Sequence, residues 1–470
     1  MRLVVLLFNL VLAVGASDRK LLLIQSIFRH GLRTPIFPFP GDLVKGSDWP
    51  VPYGHLLQEG KFQEYNAGIR ERKRYVDDLQ FFESNFTISK EIYVRSTNMT
   101  RTIDSAIWRF QGFVTNETSD FKNATQIIVP IDPVTVNTDF FGTSKTWDAF
   151  SCPRINFYVE DSHINKYLDP FKSALTEIIK YGTLVSNKTL TFDDLLSIYD
   201  TVTIEKTLGY PVPEWITDVI LNQCGKLNKK YWALAYGVQT LGAPINNTRI
   251  TVSGGIIMKN VFDNIHRKIQ NPNSQIKYYA NSGHDMNIFS AFNVFGIERF
   301  IFGDDLPAFA STIMFELYQN GNDYEVCVLY AKDSDAPFEP ITKYINGCNA
   351  KDYCKLEIIE NVASSYIPSN ITVASKYRPS DTEFIRKRRE TAKKQIPSCK
   401  DLLLDCTQNV IGEISECGTW QDDVMKMERV CLSPTEFQVT LYKPLVLSQA
   451  RFHDDLKALC IEREKLGLPC

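Results

Sequence analysis

Residues 28–35 read FRHGLRTP and close the largely apolar run LLLIQSIF. A run of that kind belongs in a buried strand, yet Arg29 and Arg33 flank His30 and Gly31 at its end. Positive charge so placed calls for an anion. Arginine presents a planar fork of N–H donors matched to phosphate oxygens and does not readily deprotonate. An imidazole among such arginines can attack phosphorus and form a covalent intermediate. Two further segments share the layout of an apolar run, polar groups and then a helical pattern. IYVRSTNMTRTIDSA contributes Arg95, and YYANSGHDMNIFSAF contributes His284 and Asp285. A carboxylic acid beside the nucleophile can protonate a departing alkoxide. A dense cluster of cations stabilises charge spread over phosphoryl oxygens, so the chemistry calls for no metal and no cofactor. Alone, each segment is an ordinary basic turn or polar helix start; their agreement carries the reading.

These side chains converge only if the right elements hold them. Strand-like runs occur near residues 21–28, 92–94, 127–129, 276–279 and 312–318, with helical periodicity between several of them. In EGKFQEYNAGIRERKRYVDDL, Phe62, Tyr65, Ile69, Val76 and Leu79 recur mostly at helical spacings, which predicts that they form the buried face. The alternation implies an α/β fold: a mostly parallel sheet with helices on both faces, plus an inserted smaller helical cap domain. In such sheets the carboxyl ends of the strands border one crevice, where the three segments would meet. The expected division is a leader at 1–16, an α/β core at 17–136 and 250–355, a helical cap at 137–249, and a cysteine-rich extension at 356–470. Phe37 and Phe39, just after the first motif, are candidates to line a leaving-group pocket.

A net charge of −3 and a charged share of 23% exclude the basic excess of a nucleic-acid binder. The N-terminal MRLVVLLFNLVLAVGAS has the pattern of a secretory signal, and no later run is apolar enough to span a bilayer. Eleven cysteines, six of them from Cys399 onward, and Asn-x-Ser/Thr sequons such as those at Asn98 and Asn246 fit the same compartment. The expected location is therefore extracellular or lysosomal, with a disulfide-bonded and glycosylated chain.

FRHGLRTP together with the distant GHD resembles the histidine acid phosphatases of the histidine phosphatase superfamily, and the likeness extends over roughly residues 20–355. The resemblance implies a phosphate monoester as substrate and His30 as the nucleophile. It makes Asp285 the proton donor, with Arg29, Arg33, Arg95 and His284 gripping the phosphate. Acid operation would suit a protonated Asp285 and a charged His284. Leu32 departs from the acidic or small residue often found in its slot, which bears on substrate preference. The resemblance also implies a Cys348–Cys354 bridge, a downstream partner for Cys152, and a homodimer. Ser311 stands where a cysteine of the pattern would be, and Cys224 and Cys327, without counterparts in it, are candidates for a different pairing. Two rival readings remain at this stage: a phytase-like enzyme acting on inositol phosphates, and an inactive secreted binding protein.

Overall fold

A computed structural model of the chain describes residues 19–84, 86–115, 129–133, 162–303 and 305–375. The leader, Cys152 and the cysteine-rich tail lie outside the described residues.

Strand β1 (Lys20–Arg29) sits inside the sheet and explains why its sequence reads as a nearly continuous apolar run. Leu23 and Ile27 enter the hydrophobic core on one face, while Ile24 and Phe28 enter the core on the other. Its two central polar side chains are satisfied internally. Gln25 donates to Val261 O and accepts from Asn264, and Ser26 Oγ accepts from the Tyr278 hydroxyl.

The chain then forms α1 (Gln58–Arg72), β2 (Ile92–Ser96), α2 (Thr100–Val114) and β3 (Ile131–Pro133). Three long helices follow, α3 (Ser162–Ser186), α4 (Phe192–Leu208) and α5 (Asp218–Ala235), and then α6 (Ile256–Gln270), β4 (Tyr278–Gly283) and α7 (Asp285–Phe295). The hairpin β5 (Thr312–Asn320) and β6 (Asp323–Ala331), the two-residue strands β7 (Glu339–Pro340) and β8 (Cys354–Lys355), and α8 (Leu356–Ala363) complete the described chain. The sheet order is β3-β2-β4-β1-β5-β6-β7, with β8 paired to β6.

The sheet is α/β in kind and mixed in direction. Strands β3, β2, β4 and β1 are parallel, whereas β5 to β8 join antiparallel. The parallel expectation thus holds for the half that carries the site. The third strand is described at Ile131–Pro133; Val129 of the expected run lies outside it, and 127–128 fall beyond the described residues. Among the described residues no helix is long and apolar enough to cross a membrane. Cys348 and Cys354 form a disulfide, whereas Cys224 and Cys327 are buried free thiols in separate cores. Each core position keeps its thiol in apolar surroundings, which overturns a pairing between them.

The buried face of this segment matches the expected one only in part. Tyr65 and Val76 are buried, but Phe62, and Leu79 beyond the end of α1, are 48% and 42% exposed, while Glu64, Gly68 and Glu71 are buried. A close helix crossing and an internal ion network decide the matter. A Cβ on Gly68 would lie 1.9 Å from the Arg109 carbonyl oxygen of α2, so only glycine permits that approach. Arg109, fully buried, bonds Glu64 at 2.8 Å and Glu71 at 2.6 Å and lies 3.9 Å over the Phe28 ring. Burial was available to carboxylates because a charged partner was buried with them.

Helix α4 meets the loop after the first motif through a pair of acids. Neither carboxyl oxygen of the buried Glu205 has an N–H or O–H donor, and the group facing it is the Asp42 carboxyl. Two carboxyls bond only if one holds a proton. Burial and then Asp42 push Glu205 up to about 9; burial also raises Asp42, and Tyr53 and Asp48 are the other ionisable groups nearby. Both folded values exceed those of the unfolded chain, about 4 for each acid. The stability the pair contributes is therefore complete below about pH 4 and is lost as pH rises towards the folded value. Glu64, pushed up to about 7 by burial against the pull of Arg109, acts in the same direction. Thermal melts should accordingly show a melting temperature that falls between about pH 5 and about pH 8. Glu205→Gln should flatten the fall, and an unchanged slope in that variant would refute the shared proton.

Candidate active site

The parallel strands deliver three segments to one edge of the sheet. β1 ends at Arg29, β4 ends at Gly283 in register with it, and β2 ends at Ser96. His30 follows directly. Its backbone N–H donates to Gly283 O at 3.0 Å and its carbonyl accepts from Ala310 N at 3.2 Å, so the residue is pinned between the end of β4 and the loop before β5. Gly31 then crosses the start of α1 at backbone distance. A Cβ there would lie 2.2 Å from Gly60 O, and Ser105 of α2 accepts the Gly31 N–H at 3.1 Å.

The His30 ring has a defined tautomer. Its Nδ1 lies 2.8 Å from the Gly31 carbonyl oxygen, which can only accept, so Nδ1 carries the hydrogen and Nε2 keeps its lone pair. Burial comes first, and the charges of Arg101, Arg29 and Arg33 come next, in holding the imidazole well below its ordinary range. A neutral ring with a free Nε2 is the form that can act as a nucleophile, and it persists into acid solution.

His284 caps α7, its ring centroid 5.5 Å from that of His30. Its Nε2 is 3.0 Å from Thr97 Oγ1, which contacts Thr102 Oγ1 at 2.8 Å. Burial and then Arg101, Arg29 and Arg33 also hold His284 well below its ordinary value. The expected charged His284 is thus disfavoured, first by burial and then by the three arginines. Asp285 starts α7, and its Oδ2 lies 3.1 Å from Arg29 Nη2.

The arginines are individually anchored. Arg29 Nη1 donates to Pro307 O at 2.7 Å and the guanidinium lies 3.9 Å over the Phe309 ring. Arg33 Nη1 and Nη2 each bond Asp200 of α4 at 3.0 Å, and Nη1 also reaches Thr34 O at 3.1 Å. The buried Nε atoms of both arginines have no acceptor.

The sequence assignment needs one change. Arg95 is buried on β2, sharing a face with its neighbour Asn281 across the sheet. Arg101, in the first turn of α2, is the charge acting most strongly on both histidines. The geometry therefore gathers His30, His284, Asp285, Arg29, Arg33 and Arg101. Two other expectations also change. Leu32 is 3% exposed and packs with Val44, Trp49, Leu57 and Ile204, so it fastens the motif loop to α4 instead of facing substrate. Phe39 is buried in the main core and Phe37 is 51% exposed; the aromatic beside His30 is Phe309, 5.8 Å away between ring centroids.

The family model described as the histidine phosphatase superfamily (branch 2) matches residues 20–331. The lysosomal acid phosphatase of Xenopus laevis is 28% identical over 353 residues, which is 74% of this chain and 76% of that protein. The prostatic acid phosphatase of Homo sapiens is 25% identical over 361 residues, 75% of this chain and 87% of that one. Among solved structures, the apo form of Hafnia alvei phytase superposes with a TM-score of 0.52 at 15% identity, covering 77% of this chain and 100% of the phytase. At that identity the likeness concerns the fold.

Proposed function

The chain belongs to the histidine phosphatase superfamily (branch 2), and on that premise we propose that it is a secretory acid phosphatase hydrolysing phosphate monoesters through a phosphohistidine at His30. The observation that carries the reading is the His30 ring itself: Nδ1 committed to the Gly31 carbonyl, and the imidazole kept neutral among three arginines.

In the first step Nε2 forms a bond to phosphorus as the ester P–O bond breaks, and Asp285 gives its proton to the departing alkoxide. Arg29, Arg33, Arg101 and His284 take up the charge on the phosphoryl oxygens. A dianion among these groups offsets the arginine charges that add to burial in keeping His284 neutral, so substrate binding itself favours protonating His284. In the second step water attacks phosphorus, Asp285 takes its proton, and the P–N bond breaks to free phosphate and regenerate His30. No step requires a metal. The helices within 137–249 cap this crevice in the proposal, and the leader directs the chain to the exterior or the lysosome.

Trapping tests the reading. Rapid quenching of turnover with a labelled aryl phosphate should leave label that is stable to base and labile to acid, on the peptide containing residue 30. Asp285→Asn should slow both steps while leaving the label on that peptide, and a chelator should change neither. Label on a serine or threonine, or loss of turnover with chelator, would sink the mechanism. Parallel turnover of myo-inositol hexakisphosphate and an aryl phosphate measures where substrate preference lies.

A further inference from the structure

Arg33 has five N–H donors, and three have partners: one Nη1 hydrogen with Thr34 O, and one from each Nη with the two Asp200 oxygens. The donors left over are Nε–H and the second Nη2–H. These are not scattered, since together they form the side edge of the guanidinium fork, the edge that receives two oxygens of one phosphate. Asp200 is in turn fixed by more than Arg33: its Oδ2 lies 3.5 Å from the Ile36 N–H. The carboxylate comes from α4, 167 residues along the chain, and Ile204 one turn on packs against Leu32 beside Arg33. Burial disfavours its charge, yet Arg33 and then Arg29 hold Asp200 below the usual carboxylate range, so the ion pair persists in acid.

We propose that Asp200 is a positioning residue that occupies the end of the Arg33 fork and thereby presents the Nε–Nη2 edge to the phosphate. This rests on the phosphate-monoester reading above. The proposal explains why a carboxylate can sit against a phosphate-binding arginine without simply excluding phosphate: the two anions take different edges of one planar group. It also makes the phosphate grip depend on α4 being docked, because the residue that aims Arg33 belongs to that helix.

Positioning and charge have opposite consequences. Removing the negative charge of Asp200 raises the positive potential at the site and would tighten phosphate binding if Asp200 merely competed. Asp200→Glu keeps the charge and displaces the carboxylate by one methylene; Asp200→Asn keeps the shape, removes the charge and opposes one Nη with an amide. Under the proposal both variants lose kcat/KM by about tenfold or more, and inorganic phosphate inhibits both less well. In an Arg33→Ala background, Asp200→Glu should cost nothing further, since Asp200 acts through Arg33. Tighter phosphate inhibition in Asp200→Asn, unchanged kinetics in a folded Asp200→Glu, or additive losses in the double variant would each overturn it. Should Asp200→Glu fail to fold, the sign of the phosphate effect in Asp200→Asn decides alone. If the wild type neither binds phosphate nor turns over an aryl phosphate, the functional reading fails first and independently.

Discussion

His30→Ala is expected to lower turnover of an aryl phosphate by at least about 10⁴-fold while leaving inhibition by inorganic phosphate within a few-fold of the wild type. The split follows from what the residue does. In the proposed mechanism its Nε2 bonds phosphorus, whereas the grip on phosphate falls to guanidinium groups anchored elsewhere, to Pro307 and Asp200. The pH profile should carry the same signature. An ordinary imidazole would gain a proton near pH 6.5 and lose its nucleophilic lone pair. Here burial and three arginines hold the value well below that, so kcat/KM in the wild type should show no loss as pH falls through about 6.5. An acid limb centred there would contradict a His30 nucleophile in this environment, as would equal turnover by His30→Ala.

Much of this was legible in the sequence where a local pattern sufficed. The apolar run ending in FRHG located β1, because a strand buried on both faces must be apolar at both parities. The HD pair located the start of α7. Other features depended on contacts that sequence distance conceals. Asp200 and Phe309 reach His30's neighbourhood from a helix and a loop with no motif of their own. The α1 face is legible only in part, Tyr65 being buried and Phe62 exposed, because hydrophobic periodicity assumes an apolar partner, and α2 instead offers Arg109 to Glu64 and Glu71. Strand β6 was missed although a signal existed: Gly321-Asn322 stands between two runs of strand-forming residues, and Gly321 has φ +60° at the turn.

The choice between Arg95 and Arg101 reaches the chemistry, and a pair of substitutions decides it. Both lie within YVRSTNMTRT, six residues apart, and each has the right side chain. Strand geometry separates them: alternation turns Arg95 to the face of Asn281, while the chain must leave β2 at Ser96 and begin α2 at Thr100 before Arg101 can turn back to the strand ends. Arg101→Ala should therefore lower kcat/KM by about 10²- to 10³-fold, the cost of one well-placed donor to a developing anion. Arg95→Ala should act mainly on stability, since the residue is 9% exposed, with turnover by the folded fraction within about tenfold of the wild type. The pH profile distinguishes the two without relying on rate alone. Arg101 is the charge that most opposes an imidazolium at position 30. Its removal must raise the His30 value, so the acid limb of kcat/KM should move to higher pH in Arg101→Ala and stay in place in Arg95→Ala. The reverse pattern would restore Arg95 to the phosphate grip and return Arg101 to a structural part.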